Sequence, residues 1–394
     1  MKNPASRRLV LFFSRSAWFV LGIGLAPETR AAPQTVHVVP AHYATIQEAI
    51  DASAPGDVVL IRGGSHTGTI VIDRPVTLMA RPRASLHPPA DGGFQPPAVQ
   101  LSGSGVGAVV LDGLDISGVA NGWIHYACSA GIEGGGFASL QLLDCDVAGP
   151  TWSFLTGVAS GAPALRVSVA QVLVEGSSLR GSNSVNDDCY GSGPPGPTGI
   201  QATNATVTVL DSTVRGGGSQ PICGFGSCPV GGAGGAGIDS LTVLQTGSTI
   251  EGGKGATYFL AGDPTPCGQA PDGVPATGTV TSLPGTLSSD GPPRIGGVWR
   301  LSWALASPGY LMGDLGVVLP PMPAPPPGGL RFFDGSPAFL QAVPASGSAS
   351  PRFPLDPSLV GRTVVMQGFT PRHGFERPLV GCIGFRLVQE RRIP

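Results

Sequence analysis

A short frame recurs along this chain and limits what it can fold into. It reads VVLDGLDISG at Val109, LQLLDCDVAG at Leu140, QVLVEGSSLRG at Gln171, VTVLDSTVRGG at Val207 and LTVLQTGSTIEGG at Leu241. Each copy offers two inward aliphatics, a polar turn residue, a short second strand and a glycine. The turn residues are Asp112, Asp144, Glu175, Asp211 and Gln245, spaced 31 to 36 residues apart; TIVIDRPVTL puts Asp73 at the same place in a weaker, earlier copy. A third short element precedes most copies: GI at Gly131, Gly199 and Gly237, and AL at Ala164. Side chains alternate across a strand, so Val207 and Val209, Leu140 and Leu142, and Leu241 and Val243 are expected to point inward. One such turn cannot bury its apolar face alone. Turns stacked at the ~4.8 Å strand spacing bury a continuous column of Val, Leu and Ile. Three short strands per copy therefore predict an all-β solenoid.

The pattern resembles the right-handed parallel β-helix of the pectin-lyase-like superfamily, over about residues 35–260. The segment YATIQEAIDASAPGDVVLIRGGSHTGTIVI from Tyr43 is similar to the opening of many such proteins. There a short amphipathic helix, here with Ile46, Ala49 and Ile50 on one face, caps the open end of the coil. A cap is needed because the first coil would otherwise expose a sheet edge and an apolar core. The resemblance implies a fold and not an activity, since the superfamily holds lyases, hydrolases, esterases, adhesins and proteins without activity.

The first 31 residues read as an export signal. Lys2, Arg7, Arg8 and Arg15 precede an apolar run over 17–26, and Thr29-Arg30-Ala31 is an acceptable cleavage site. The run is too short to span a bilayer, so no membrane span is expected after removal of the signal. Localisation outside the cytoplasm follows: extracellular, cell surface or periplasmic. Removing five basic residues and one acid with the signal takes the net charge from −2 to −6, and Lys254 is then the only lysine. That excludes nucleic acid as the expected partner. The chain holds 61 Gly and 40 Pro, well above the average usage of about 7% and 5%. With an apolar fraction of 41%, these residues read as turns in a repeat and not as disorder. Residues 261–293 read as a Pro/Gly-rich linker, and 294–394 as a separate small β module. Within it, FPLDPSLVGRTVVMQGF resembles a closing module of secreted bacterial proteins, with the motif P-x-D-P-x-L-V-G-x-T-x-x-x-Q at 354–367. It implies a β-sandwich-like accessory domain without a catalytic role.

A minimal coil needs about 22 residues, and the excess here falls at one place, after the glycine that ends each second strand. The inserted loops are NGWIHYACSA from Asn121, TWSFLTGVASG from Thr151, NSVNDDCYGSGPPGP from Asn183, GSQPICGFGSCPVGG from Gly218 and TYFLAGDPTPCGQ from Thr257. Leaving consecutive coils at one corner, they are expected to form a lateral wall carrying Trp123, His125, Tyr126, Trp152, Phe154, Tyr190, Phe225 and Tyr258. Loops on a rigid scaffold are where function concentrates; the alternative is that these rings cover the loops' own small cores. In an exported chain, Cys189, Cys223, Cys228 and Cys267 are candidates for disulfides, while Cys145, aligned with Ser212 and Gly176, is expected buried and free. Only Cys223 and Cys228 have zinc-ligand spacing and no second pair joins them, so no metal centre is expected.

Two further clusters bear on chemistry. The turn column reads as Asx-type turns binding their own backbone; stacked carboxylates would repel, which leaves Ca²⁺ as a second reading. Counting outward from inward Ile132, Leu165, Ile200 and Ile238 places Glu133, Arg166, Gln201 and Asp239 on the face where the superfamily's enzymes usually act. Glu133 and Arg166 are expected to pair across adjacent coils. Asn186-Asp187-Asp188-Cys189 resembles the double-Asp segment of polygalacturonase-like hydrolases, which would make Asp187 and Asp188 catalytic. The Gly-His-Gly that should follow is absent, with CGFG at Cys223 in its place, and so is the Arg-x-Lys element. The expectation is therefore a secreted, non-catalytic β-helix protein binding glycan or cell-surface material through Trp123, Tyr126, Trp152 and Tyr190. The alternatives are a polysaccharide lyase or glycoside hydrolase and, third, a purely structural spacer.

Overall fold

The computed structural model describes residues 35–89, 96–105, 107–119, 128–151, 158–159, 161–186, 194–219, 222–224, 232–260 and 265–282, and beyond them short strands with a few neighbours between 286 and 387. The chain folds into two compact units, one spanning Val36–Ser282 and the other taking in Leu283–Pro394. The signal region lies outside the described residues.

The first unit is a parallel β-solenoid of about five turns that follow the sequence repeat, with less regular turns before them. Three faces run along it. Face 1 pairs Ala108–Val119 with Ser139–Leu143, then Gln171–Glu175, then the second half of Ile200–Leu210, then Ile238–Thr246. Face 2 pairs the end of Ala108–Val119 with Asp146–Thr151, Ser178–Arg180, Thr213–Arg215 and Thr249–Glu251. Face 3 pairs Ile70–Ile72, Val99–Ser102, Ile132–Gly135, Leu165–Ser168 and the starts of Ile200–Leu210 and Ile238–Thr246.

The register explains why these strands stack. Val109, Leu140, Val172, Val207 and Val243 form one buried inward column of face 1, and Ile132, Leu165, Ile200 and Ile238 form one of face 3. Each fully buried aliphatic contributes roughly 1.5–3 kcal/mol, and only the stack supplies that burial. At the first turn, helix Ile46–Asp51 buries Ile46, Ala49 and Ile50 against the coil, as the sequence predicts. Its start is fixed by a capping box: the Glu48 amide donates to the Thr45 hydroxyl (3.2 Å), and the Thr45 amide donates to the Glu48 carboxylate (3.1 Å). Beside it, buried His37 is hydrogen-bonded to both Tyr43 and Asp57 at 3.1 Å.

Two expectations about face 1 need correction. Leu241 is 65% exposed and does not point inward. The corner before it is tight: Ala202 and Thr206 are matched by Ser240 and Thr242, so Leu241 alone opposes three residues of the previous turn and is pushed out. Nor do the strands alternate between buried and exposed positions. Val58–Ile61, Ser139–Leu143 and Gln171–Glu175 are buried throughout, the behaviour of parallel strands covered on both faces. On the outward side, Ser139, Gln141, Gln171 and Thr208 hold buried polar atoms with no hydrogen-bond partner.

The solenoid also runs further than the repeat. Thr279–Ser282, inside the stretch read as a linker, adds one more parallel strand beside Ile238–Thr246. Among its described residues, the second unit consists of antiparallel β-strands. Its four-stranded sheet has the order Phe339–Val343, Gly309–Leu315, Thr363–Thr370, Leu379–Leu387, and a smaller one joins Thr286–Ser289, Leu301–Ala304 and Ser346–Ala349. Of the motif at 354–367, only the part from Thr363 falls within the described residues.

Candidate functional site

Three features run along the solenoid: a turn corner, a polar outer ladder and the corner from which the loops leave. The turn corner differs from the column expected. Backbone in the left-handed region falls at Gly113, Asp144, Gly176, Asp211 and Gly247, with φ of 70°, 50°, 58°, 46° and 61°. Asp144 and Asp211 belong to this column. Asp112 and Glu175 stand one residue earlier, in register with Leu143 and Leu210, and are buried. Gln245 stands in register with Val209, two residues before the turn. Asp73 belongs to face 3, following Ile72, and is paired with Arg74 at 2.7 Å; that guanidinium holds its carboxyl below the usual value. Acids were the wrong marker for the turn, because the left-handed conformation is met by Gly as readily as by Asp.

The alternation also removes the expected repulsion. A Cβ on Gly176 would stand 2.6 Å from the Asp144 carboxylate, and one on Gly247 would collide with that of Asp211. Each carboxylate thus lies over a glycine of the next turn, and the acids of this column are two turns apart. Among the described residues no cluster of three or more His, Cys, Asp or Glu could hold a metal ion. The Ca²⁺ reading, which rested on a stack of carboxylates, loses its geometric basis.

The next position is a hydroxyl ladder. Ser177, Ser212 and Ser248 each donate to the carbonyl two residues back, at 2.8, 2.6 and 3.0 Å. Each also accepts the amide of the corresponding residue one turn earlier: Cys145 to Ser177, Ser177 to Ser212, Ser212 to Ser248, at 3.0, 3.1 and 3.2 Å. Cys145 takes the serine position in its own turn, its thiol donating to the Leu143 carbonyl at 3.3 Å. It is buried and free, as expected, but aligned with Ser177 and not with Gly176. Burial pushes its thiol up to about 12.

The polar outer ladder is placed as the sequence predicts. Glu133, Arg166, Gln201 and Asp239 occupy successive outward positions of face 3. Arg166 donates to Glu133 at 3.2 Å and to Gln201 at 3.1 Å, and Thr277 donates to Asp239 at 2.7 Å. Acid and base are spent on each other in a half-exposed ladder.

At the loop corner, the second strands end in a glycine column, Gly118, Gly149, Gly181, Gly216 and Gly252, one place beyond the paired Ser117, Ala148, Arg180, Arg215 and Glu251. Behind it the outgoing and returning backbones interleave in one hydrogen-bonded file. Gly217 donates to Pro197, Gly235 to Gly217, Gly253 to Gly235 and Gly273 to Gly253, at 2.7–2.9 Å. A Cβ on any of these four glycines would collide with a neighbouring carbonyl oxygen. None of the four has positive φ, so space alone excludes a side chain. This glycine-packed root was missed by a sequence reading that treated the glycines as turns.

Most of the loop residues singled out above lie outside the described residues: Trp123, His125, Tyr126, Trp152, Phe154, Asp187, Asp188, Cys189, Tyr190, Phe225 and Cys228. Cys223 lies on strand Ile222–Gly224, which pairs with Thr257–Leu260. Cys267 lies on the adjoining Pro266–Gln269 and is disulfide-bonded. Tyr258 is 7% exposed and packs with Ala256 and Ala270, so this ring covers the core of its own loop. The chain matches no family model, no curated protein and no solved structure.

Proposed function

We propose that this is an exported β-helix protein of the pectin-lyase-like kind that binds glycan or cell-surface material through its lateral loops and does not turn it over. The observation that carries the reading is the glycine-packed file at the loop corner. Between Pro197 and Gly273 its backbones stack without intervening side chains, so the loops of these later turns leave one rigid edge at steps of about 4.8 Å, an edge that the loops after Gly118 and Gly149 are proposed to continue. A repeating edge of that kind suits a repeating chain such as a polysaccharide, and rigid presentation lowers the ordering cost of binding. Trp123, Tyr126, Trp152 and Tyr190 supply flat rings for the apolar faces of sugars, and Asp187 and Asp188 supply acceptors for hydroxyls.

The non-catalytic part of the reading rests on face 3. A lyase needs a free base beside a cation-holding acid cluster, whereas Arg166 is held between Glu133 and Gln201. Export is supported by the basic-then-apolar pattern of residues 1–31. The disulfide at Cys267 fits an oxidising compartment. No helix among the described residues is long and apolar enough to cross a membrane.

The test is a glycan array read together with reducing-end and unsaturated-product assays on polyuronides. Binding without product supports the proposal. Cleavage that disappears in Asp187→Asn or Asp188→Asn would establish the hydrolase alternative in its place.

A further inference from the structure

At the first end of the solenoid, two edge strands are met by one short segment, residues 40–53. The strand Val36–Val39 leads the stack of face 1 through Val58–Ile61 and Thr77–His87. It meets His42: the Val38 carbonyl accepts the His42 amide at 2.7 Å, and the Val38 amide donates to His42 Nδ1 at 3.3 Å. The strand Ile70–Ile72 leads face 3 and meets half-buried Gln47, in the first turn of helix Ile46–Asp51. The Val71 amide donates to Gln47 Oε1 at 2.8 Å, and Gln47 Nε2 donates to the Val71 carbonyl at 3.2 Å. The Ile70 amide points the other way, to the Ala98 carbonyl at 2.9 Å. In a strand of three residues, Val71 thus carries the amide and carbonyl that face outward along the edge, and one carboxamide satisfies both. Gln47 stands where a further strand would bond.

We infer that helix Ile46–Asp51 is a latch on this edge: Gln47 acts as a surrogate strand that shuts Ile70–Ile72 against pairing, and helix and edge open together as one unit. The residue type fits the task. A carboxamide, like a peptide group, both accepts and donates, whereas an ionised Glu could not donate to the carbonyl and an Asn is one methylene short. The carboxamide is aimed by Asp51, one helical turn on, whose Oδ1 accepts from Gln47 Nε2 at 2.7 Å. An acceptor there fixes which end of the amide is nitrogen. The strand's own continuation holds the other end of the helix. Arg74 Nη1 donates to the carbonyls of Asp51 and Ser53 at 3.2 and 2.9 Å, and the Asp73 carboxylate accepts from its Nε and Nη2 at 2.7 and 3.1 Å. A cation on the last carbonyls suits the negative end of a helix. The strand itself, IVI, carries no charge and no proline, the usual devices that keep an edge from accepting another strand. A helix of six residues cannot hold itself in water. Tied at both ends to the strand it covers, it must move with that strand.

Hydrogen exchange of the full chain, resolved to single amides, tests this. In the wild type the Val71 amide should be protected to the same degree as the helix amides of Ala49 and Ala52, which donate to the Thr45 and Glu48 carbonyls, because one opening exposes all three. In Gln47→Ala the Val71 amide should lose at least tenfold in protection, while the Ile70 amide, bonded to Ala98, keeps its own. Gln47→Asn should match Gln47→Ala. A Val71 amide equally protected in the wild type and in Gln47→Ala would overturn the inference. So would a wild-type Val71 amide that exchanges tenfold or more faster than those of Ala49 and Ala52, since the edge would then open without the helix. A loss of protection at Ile70 equal to that at Val71 would overturn it too, by showing a general loss of stability in the first turn.

Discussion

Asp144 and Gly176 show how single residues set the turn corner. Asp144 holds φ at 50°, a conformation that costs most L-residues roughly 1–2 kcal/mol, and its carboxylate lies over Gly176. Asp144→Ala should therefore destabilise by ~1 kcal/mol and Asp144→Gly by less. Gly176→Ala should cost more than either, because it adds a collision to the backbone strain, and Asp144→Gly should recover part of that loss in the double variant. Urea unfolding of the four proteins measures this cycle; additive effects would contradict the contact. Chelator should leave the melting temperature unchanged.

The hydroxyl ladder makes a second set of residue-level predictions. Ser177→Ala leaves the buried Cys145 amide without its acceptor and should cost ~1–3 kcal/mol. Cys145→Ser keeps the ladder and should be tolerated. The Cys145 thiol rises from 9.0 to about 12 on burial. A raised acid favours the folded state below its unfolded value, so this contribution is complete below pH 9 and is lost as pH climbs toward 12. The wild type should thus lose stability relative to Cys145→Ser across that window, in paired melts at pH 8 and pH 10.5. On the outward side of face 1, Thr208→Val removes a buried hydroxyl without a partner and should be neutral or stabilising by up to ~1 kcal/mol. A clear loss of stability would show that the hydroxyl is bonded.

At the scale of elements, the sequence revealed what depends on apolar periodicity and local capping. The capping box at Thr45 and Glu48 is local, so it was legible, and so was the outward run Glu133, Arg166, Gln201, Asp239, which follows from counting against buried Ile and Leu. The turn column was misplaced by one residue at Asp112 and Glu175, because a polar residue after two aliphatics can close a strand or begin a turn, and only backbone geometry separates the two. Leu241 was misread because its corner is shorter than the one before it. The glycine-packed root was illegible for a different reason: its contacts join residues 18 or 20 apart from outgoing and returning segments, a spacing that is not the period of the strand repeat. That root yields a sharp contrast. Gly217→Ala and Gly235→Ala force a Cβ onto a carbonyl oxygen and should cost ~1–3 kcal/mol or more. Gly218→Ala, whose nearest contacts are at 3.3 Å, should cost far less. Arg166→Ala should change stability by less than ~1 kcal/mol, as is usual for partly exposed pairs. Equal effects at Gly217 and Gly218, read from denaturation midpoints, would contradict the packing.

For the whole molecule, the solenoid was the most legible feature, because a repeat that must stack to bury its face leaves few alternatives. Its extent was less so: Thr279–Ser282 lies in a Pro/Gly-rich stretch whose composition hides one more turn. Function was the least legible. Stacking fixes the scaffold through Val, Leu, Ile and Gly, while the residues that would touch a ligand sit in loops that the repeat does not constrain. Calorimetric titration of a glycan selected on the array, into the wild type and Trp123→Ala with recovery of the glycan afterwards, tests the central claim most directly. The account predicts weak binding, about micromolar to millimolar, that falls at least tenfold in the variant, with the glycan recovered intact. Binding unchanged in Trp123→Ala and Trp152→Ala, or a shortened glycan whose cleavage is lost in Asp188→Asn, would contradict it.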